Sequence, residues 1–264
     1  SIRFSAGCQI SQREEPGACL LQRHDLMSSI QRRERALTDR DQKSLDKTPS
    51  GFRLAQRCAS AKLAQIHAFN RGDSESLLRI GEQIASANDN RFVLAMHAFG
   101  LEECNRLDEA EVLARKAVAL DRHDPWAHHA IAHCLEARGK MLEGVAFLQS
   151  VSDTWADCNS FMSTHNWWHL ALFLIDLDRT DEALALYDQR VWGVWKEFCE
   201  DQINAVSLLA RLELRGVDVG SRWADLATYL KPRLHEHYSA FHDVQYLYGL
   251  ARAGEQSEIG RASC

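Results

Sequence analysis

Two pairs of histidines with a four-residue spacing are the strongest chemical feature of the sequence: His129 with His133, and His165 with His169. Residues four apart on a helix lie on one face, so each pair presents two imidazole rings side by side. A neutral imidazole offers one nitrogen lone pair and one N–H group, which suits hydrogen bonding and transition-metal binding. The two pairs therefore mark the candidate site of this chain.

The spacing of these histidines leaves three interpretations open. The rings pack between helices and satisfy one another and nearby carbonyl groups. Alternatively, they line a polar and aromatic pocket with Trp126 and Trp168, which holds a peptide or a small molecule. In the third interpretation, His129, His133 and His165 bind a transition metal. The first pair lacks the glutamate that follows the leading histidine in zinc hydrolases, so we predict no catalytic residue and no cofactor.

A weaker candidate lies near the end of the chain, where His242 precedes Asp243. A carboxylate beside an imidazole can orient the ring, although such neighbours are more often a polar pair on a helix face. We include both in the predicted site. The residues predicted to bind a ligand are Trp126, His129, His133, His165, Trp168, His169, His242 and Asp243.

The elements that carry these residues repeat along the chain. Residues 91–124, 125–143 and 164–188 each have the pattern of helix, tight turn and helix, and the first two begin 34 residues apart. Small or apolar residues recur at offsets 8, 11 and 20 of the units, where two packed helices approach closely. A 34-residue period with two helices per unit is the signature of tetratricopeptide repeats. We predict an all-α, tetratricopeptide-like α-solenoid of about five antiparallel helix hairpins.

The same pattern predicts the individual helices and their orientation. A first hairpin is expected at 52–70 and 74–87, with Ser74 as the N-cap of its second helix. Three more helices are expected at 197–214, 221–230 and 234–253. In this architecture the first helix of each unit lines the concave surface chiefly through offsets 2, 5, 9 and 12, which assigns His129, His133, His165 and Trp168 to a shared groove. Residues 151–162 are an insertion between units, and insertions in solenoids often lie on the binding face.

Composition narrows the functional class. The 264-residue chain has a net charge of −6, which disfavours nucleic-acid binding, and it has no apolar run long enough to cross a bilayer. Its eight cysteines are scattered without a disulfide or zinc-finger spacing. We expect a cytoplasmic protein that binds neither nucleic acid nor membrane.

The domain boundaries follow from where the repeat pattern holds. Residues 51–257 form the predicted helical repeat domain, and residues 1–50 are a poorly defined segment that is either disordered or outside the native reading frame. Residues 258–264 have the sequence EIGRASC, which resembles the translation of a sequencing adapter. We expect that tail to be non-native.

Several motifs within residues 61–254 resemble the tetratricopeptide-repeat protein 38 family. They are MHAFGLEE at 96–103, DPWAHHAIAH at 124–133, EGVAFL at 143–148, HNWWHLALF at 165–173, EALALYD at 182–188, RGVDVGSRW at 215–223 and FHDV at 241–244. The resemblance implies an all-α tetratricopeptide-like solenoid, with no reaction firmly attached to the family. His242 departs from the family pattern, which is expected to carry asparagine there.

These observations favour a binding or scaffold protein. Its groove, lined by histidine and tryptophan, is expected to hold a peptide, a protein segment or a small ligand without covalent chemistry. The alternative is a metal-dependent or small-molecule enzyme that uses a histidine cluster in the same groove.

Overall fold

The computed structural model describes residues 49–86 and 90–262, and every regular element in these ranges is helical. We number the α-helices α1 to α12 in chain order. They are Pro49–Asn70, Ser74–Ala85, Arg91–Glu103, Leu107–Leu120, Pro125–Ala137, Met141–Val151, Ser160–Asp176, Thr180–Leu186, Cys199–Leu214, Arg222–Leu230, Ala240–Arg252 and Gln256–Ala262. Short 3-10 turns follow α6 and α10, and a π turn extends α8 to Val191.

Six hairpin turns divide these helices into six successive pairs. Each turn has one residue with φ between 57° and 80°, at Gly72, Asn105, Gly139, Asp178, Gly216 and Gly254. In each turn the amide of the next residue bonds to the carbonyl five positions earlier, as in Arg106 to Leu101 and Lys140 to Leu135. This is the Schellman arrangement, which satisfies the last carbonyl groups of a helix. The predicted all-α solenoid is confirmed, with one pair of helices more than expected.

Side-chain caps explain five of the helix starts in the described ranges, those of α2, α3, α5, α7 and α11. Asp124 accepts hydrogen bonds from the amides of Trp126 and Ala127, and Pro125 occupies the first turn of α5. The predicted cap at Ser74 is wrong, because the side chain of Asp73 accepts from the amide of Ser76 instead. Aspartate is at least as good a cap as serine, so the helix begins one position after the stronger acceptor.

Two predicted helices differ from the structure. The helix that carries His165 begins at Ser160 rather than near residue 164, because Asn159 caps it by accepting from the amide of Met162. The last long helix begins at Ala240 rather than at residue 234, because the side chain of Ser239 accepts from the amide of His242. In both places a capping side chain, and not apolar periodicity, decides where the helix begins.

The first helices of successive hairpins form a continuous layer. In this layer α1 packs on α3, α3 on α5, α5 on α7, α7 on α9 and α9 on α11, whereas each second helix packs mainly on the first helices beside it. The layer whose members touch each other directly is the shorter, inner side of a curved solenoid. The histidine pairs lie on α5 and α7 and are therefore carried by neighbouring members of the inner layer.

Small residues allow packed helices, including those of neighbouring hairpins, to approach closely, as the offsets predict. Ala98, Ala132 and Ala171 at offset 8 are fully buried. Gly144 at offset 20 faces the ring of Phe173, and a Cβ atom built on it would lie 2.5 Å from that ring. The core therefore depends on these positions remaining small.

The insertion between the second and third of the predicted units packs partly into the core, although Asp153, Ala156 and Asp157 are exposed. It forms the 3-10 turn Ser152–Asp157, in which Trp155 has no exposed surface and donates a hydrogen bond to Nδ1 of His128 over 3.1 Å. The insertion therefore closes the side of α5 that carries His128. The last residues of the insertion, 160–162, belong to α7, and the expectation that the insertion lies on a binding face remains a prediction.

The predicted N-terminal segment lies outside the described residues up to position 48, and residues 258–262 belong to α12. Both domain assignments remain predictions. In the described ranges, no helix has the combination of length and apolar character that a bilayer-spanning segment needs.

Candidate functional site

The four histidines converge. One ring nitrogen from each of His129, His133, His165 and His169 lies within 4.8 Å of the others. Two nitrogen pairs are closer, since Nε2 of His133 is 3.1 Å from Nε2 of His169, and Nε2 of His165 is 3.1 Å from Nε2 of His129. We call these four residues the histidine cluster. Each close pair joins α5 to α7, so the cluster bridges two hairpins.

Glu102 and Asn204 hydrogen-bond to rings of the cluster from outside, and Glu136 lies close to a third ring without a hydrogen bond to it. His133 donates from Nδ1 to Oε1 of Glu102 over 2.8 Å. Nδ1 of His165 lies 3.0 Å from Oδ1 of Asn204, and Nδ1 of His169 lies 3.4 Å from a carboxylate oxygen of Glu136. When Nδ1 carries the hydrogen that faces such an oxygen, the Nε2 lone pair of the same ring points toward the other histidines.

Burial controls the charge of the cluster. His129 and His169 are 6% and 2% exposed, and burial together with the neighbouring histidines holds the pKa of both rings well below its usual value. Burial likewise lowers the pKa of His165 to about 4. The pKa of His133 is raised, because its hydrogen bond to Glu102 and the charges of nearby glutamates together outweigh the effect of burial. At neutral pH the cluster therefore holds at least three neutral rings.

A row of aromatic rings runs beside the cluster along the inner layer. The ring centroids of Phe99 and Trp126 are 6.4 Å apart, and those of Trp126 and Phe161 are 6.5 Å apart. His165 is stacked between Phe161 and Trp168, at centroid distances of 4.9 Å and 5.2 Å. We call Phe99, Trp126, Phe161 and Trp168 the aromatic row. It crosses α3, α5 and α7, and three of its four side chains are partly exposed.

Two cations cover the ends of this row. Nζ of Lys62 lies 5.1 Å from the ring centroid of Phe99 and 3.3 Å from that of Trp126, and the guanidinium carbon of Arg211 lies 5.5 Å from the ring centroid of Trp168. Cations over aromatic faces are attracted by the ring quadrupole. The row is therefore bounded by positive charge at both ends.

The other two predicted site residues are not part of the cluster. His242 is buried on α11, where it forms a separate group of possible metal ligands with Cys199 and Glu200. Asp243 accepts a hydrogen bond from exposed His237 over 3.1 Å rather than orienting His242. His242 is held instead by the hydroxyl of Ser239, 2.8 Å from its Nδ1.

Sequence reasoning did not assign a site role to Glu102, Asn204, Phe99 or Phe161. Glu102 and Glu136 stand at the same offset of successive units, 34 residues apart, and this repetition is a usable signal. Asn204 has no such signal, because the register weakens beyond residue 188. The aromatic row is discernible only when α3, α5 and α7 are seen side by side.

Comparison with solved structures bears on the fold. The chain is similar to TTC0263, a thermophilic TPR protein in Thermus thermophilus, with 13% sequence identity and a TM-score of 0.53 over 74% of this chain and 99% of that chain. The chain has a tetratricopeptide-repeat fold. This similarity of the backbone fold, together with the six Schellman turns, establishes the architecture. At this level of identity it carries no information about ligands.

Two further structures are less similar to this tetratricopeptide-repeat chain. The MamA protein matches with 14% identity and a TM-score of 0.41 over 69% of this chain and 92% of that chain. A chain of the Naa15/Naa10 complex bound to HypK-THB matches with 13% identity and a TM-score of 0.35 over 78% of this chain and 36% of that chain. No protein-family model matches the sequence. The resemblance to the tetratricopeptide-repeat protein 38 family thus remains a prediction.

Proposed function

We propose that this tetratricopeptide-repeat protein is a binding module that holds a peptide segment of a partner protein along the aromatic row. The observation that carries the proposal is the unbroken sequence of ring contacts from Phe99 to Trp168 on the inner layer. Peptide grooves of this kind supply large, rigid aromatic surfaces that bury apolar side chains at low entropic cost.

The charges beside the row favour a particular peptide chemistry. Lys62 lies over Phe99 and Trp126 at one end of the row and Arg211 lies over Trp168 at the other, and both cations attract carboxylate groups. The rings between them suit aliphatic or aromatic side chains. The proposed ligand is therefore an apolar peptide segment with an acidic group near one or both ends. Small-molecule binding in the same groove is the less favoured alternative, because the row extends over three helices.

A random peptide library displayed on phage, panned against the purified full chain, tests this proposal. Selected peptides are expected to lose about 30-fold or more in affinity toward Trp126→Ala and Phe161→Ala variants, as is usual for buried aromatic anchors. Leu142→Ala is the matched control, because Leu142 is a 73% exposed apolar residue on the second helix α6. Peptides that bind wild type and both groove variants equally well contradict the proposal.

A further inference from the structure

The arrangement of ring nitrogens in the histidine cluster matches the dimensions of a metal site. Four nitrogens at about 2.0–2.1 Å from a tetrahedral ion lie roughly 3.3–3.4 Å from one another. In the cluster two nitrogen pairs are 3.1 Å apart and no pair exceeds 4.8 Å. The five closest ring pairs have centroid distances of 4.2–5.0 Å. Small rotations of the side chains therefore suffice to direct all four nitrogens to one point.

The outer polar contacts favour the protonation pattern that coordination needs. Glu102, Asn204 and Glu136 lie at the Nδ1 atoms of three different rings and leave their Nε2 atoms toward the centre. Histidine ligands of metals commonly have such a carboxylate or carbonyl partner on the second nitrogen. Nδ1 of His129, the fourth ring, has no hydrogen-bond partner among the described residues.

Packing alone is a costly explanation for the cluster. Among the described residues, Nδ1 of His129, Nδ1 of His169 and Oε2 of Glu102 are buried without a hydrogen bond. A Nε2 to Nε2 contact also requires one ring to donate and the other to accept, which constrains every tautomer in the group. Apolar side chains of similar volume avoid both penalties.

The surrounding charges suit a divalent cation. Glu102 and Glu136 each have an oxygen within 3.4 Å of a ring nitrogen of the cluster, and their combined charge of −2 balances an ion of charge +2. A buried ion is tolerated when its charge is paired in this way. His133 has a side-chain exposure of 26%, so an ion reaches the centre past this ring from the inner surface of the solenoid.

We propose that His129, His133, His165 and His169 form a tetrahedral site for one divalent transition-metal ion of the Zn²⁺ type, bound between α5 and α7. Four neutral nitrogen ligands suit ions such as Zn²⁺ and Co²⁺ and disfavour the oxygen-preferring Mg²⁺ and Ca²⁺. Because all four ligand positions belong to the protein, the ion joins two hairpins rather than offering an open position to a substrate. This inference is independent of peptide binding.

Metal titration of the chelator-treated full chain tests the site. Calorimetry with ZnCl₂ is expected to give one equivalent bound with Kd on the order of micromolar or tighter. CoCl₂ is expected to give the intense visible absorption of a tetrahedral ion. A His129→Ala/His169→Ala double variant should lose at least about 100-fold in affinity, and Glu102→Gln should lose about 10- to 100-fold through the outer hydrogen bond.

His123→Ala and His237→Ala are matched controls and should bind as wild type does, because these rings are 69% and 62% exposed and lie outside the cluster. Circular dichroism verifies that each variant is folded. Absence of stoichiometric binding to wild type, or a weak octahedral Co²⁺ spectrum, overturns the proposal. The proposal is also overturned if the folded double variant binds zinc as tightly as wild type while His242→Asn loses zinc affinity. That result assigns the ion to the group of Cys199, Glu200 and His242. If the double variant fails to fold, the Co²⁺ spectrum of wild type and the zinc affinity of Glu102→Gln decide whether the ion binds at the histidine cluster.

Discussion

Glu102 accepts a hydrogen bond from His133, with 2.8 Å between Oε1 and Nδ1, although 31 positions of the chain separate them. The two side chains lie on α3 and α5, the first helices of successive hairpins. One hairpin later, a carboxylate oxygen of Glu136 lies 3.4 Å from Nδ1 of His169. In both places a carboxylate near the end of one first helix lies beside Nδ1 of an imidazole on the next.

Glu103, beside Glu102, is expected to make stability depend on pH. Burial, together with the charge of Glu102, raises the pKa of Glu103 from 4.5 to about 6. The contribution of this carboxyl to stability is therefore complete below pH 4.5 and is lost as the pH rises through 6. Glu103→Gln should be more stable than wild type at pH 7 by on the order of 1 kcal/mol, and this gain should vanish near pH 4.5. Urea unfolding at both pH values measures the difference.

Glu109→Gln provides the contrasting control. The pKa of Glu109 is lowered by its hydrogen bond with Arg106, so its removal should cost stability at pH 7 and have no effect at low pH. If the free energy of unfolding varies with pH in the same way for wild type and Glu103→Gln, then ionisation of Glu103 does not destabilise the folded state.

Zinc should stabilise the folded chain by mass action. An ion that binds only the native state raises the free energy of unfolding by about 2.7 kcal/mol at a free concentration roughly 100 times its Kd. The melting temperature should therefore rise with ZnCl₂ and return to its starting value after excess EDTA. MgCl₂ at the same concentration should have no such effect. Equal stabilisation of the folded His129→Ala/His169→Ala variant would place the responsible ion elsewhere.

Gly144→Ala should destabilise the chain even though alanine favours helices. A Cβ atom at this position meets the ring of Phe173 at 2.5 Å, and forcing such a contact in a packed core costs about 1–3 kcal/mol. The gain in helix propensity is only about 1 kcal/mol. Ala146→Gly on the exposed face of the same helix isolates the propensity effect. A stabilised Gly144→Ala variant in urea unfolding would mean that Phe173 moves aside freely.

Trp155→Phe should cost about 1–3 kcal/mol, because it leaves Nδ1 of His128 buried without its hydrogen-bond donor. Both side chains are fully buried, so water cannot replace the indole N–H group. Trp195→Phe is a suitable comparison, since Trp195 is partly exposed and stacks on Phe198 at 4.9 Å. Urea unfolding monitored by circular dichroism measures the free energy of unfolding of both variants. Equal and small losses in the two would show that the hydrogen bond to His128 contributes little to stability.

The repeats could be predicted from sequence because each hairpin is specified locally. Small residues at offset 8, leucines at offset 11 and the turn residues Asn105, Gly139 and Asp178 all recur in register. These features depend only on packing within one hairpin and on its own turn. The helices whose starts were predicted wrongly begin where a cap such as Asn159 or Ser239 overrides the apolar periodicity.

The contacts between hairpins were less predictable. His133 stands at offset 9 of its unit and meets His169 at offset 6 of the next, and His129 at offset 5 meets His165 at offset 2. Neighbouring first helices are therefore displaced by about one turn along their axes. Offsets 2, 5, 9 and 12 of the first helices assign His129, His133 and His165 to one groove, and these three rings do converge. The same offsets give no reason for His169 to join them.

The predicted peptide ligand, the cytoplasmic location and the exclusion of nucleic acid remain predictions, since they depend on partners rather than on the fold. His242 and Asp243 illustrate the limit of local reasoning. Their adjacency in sequence suggested one functional pair, yet on α11 they point to different partners.

Each hairpin turn closes through hydrogen bonds that span only three and five positions of the chain. Such short-range closure requires little loop entropy, so any hairpin can begin to fold before its neighbours are in place. The bonds of the histidine cluster, by contrast, span 36 positions and form only after α5 and α7 have docked. The order of events in folding is therefore expected to run from turns to hairpins, with the junction between the third and fourth hairpins among the later steps.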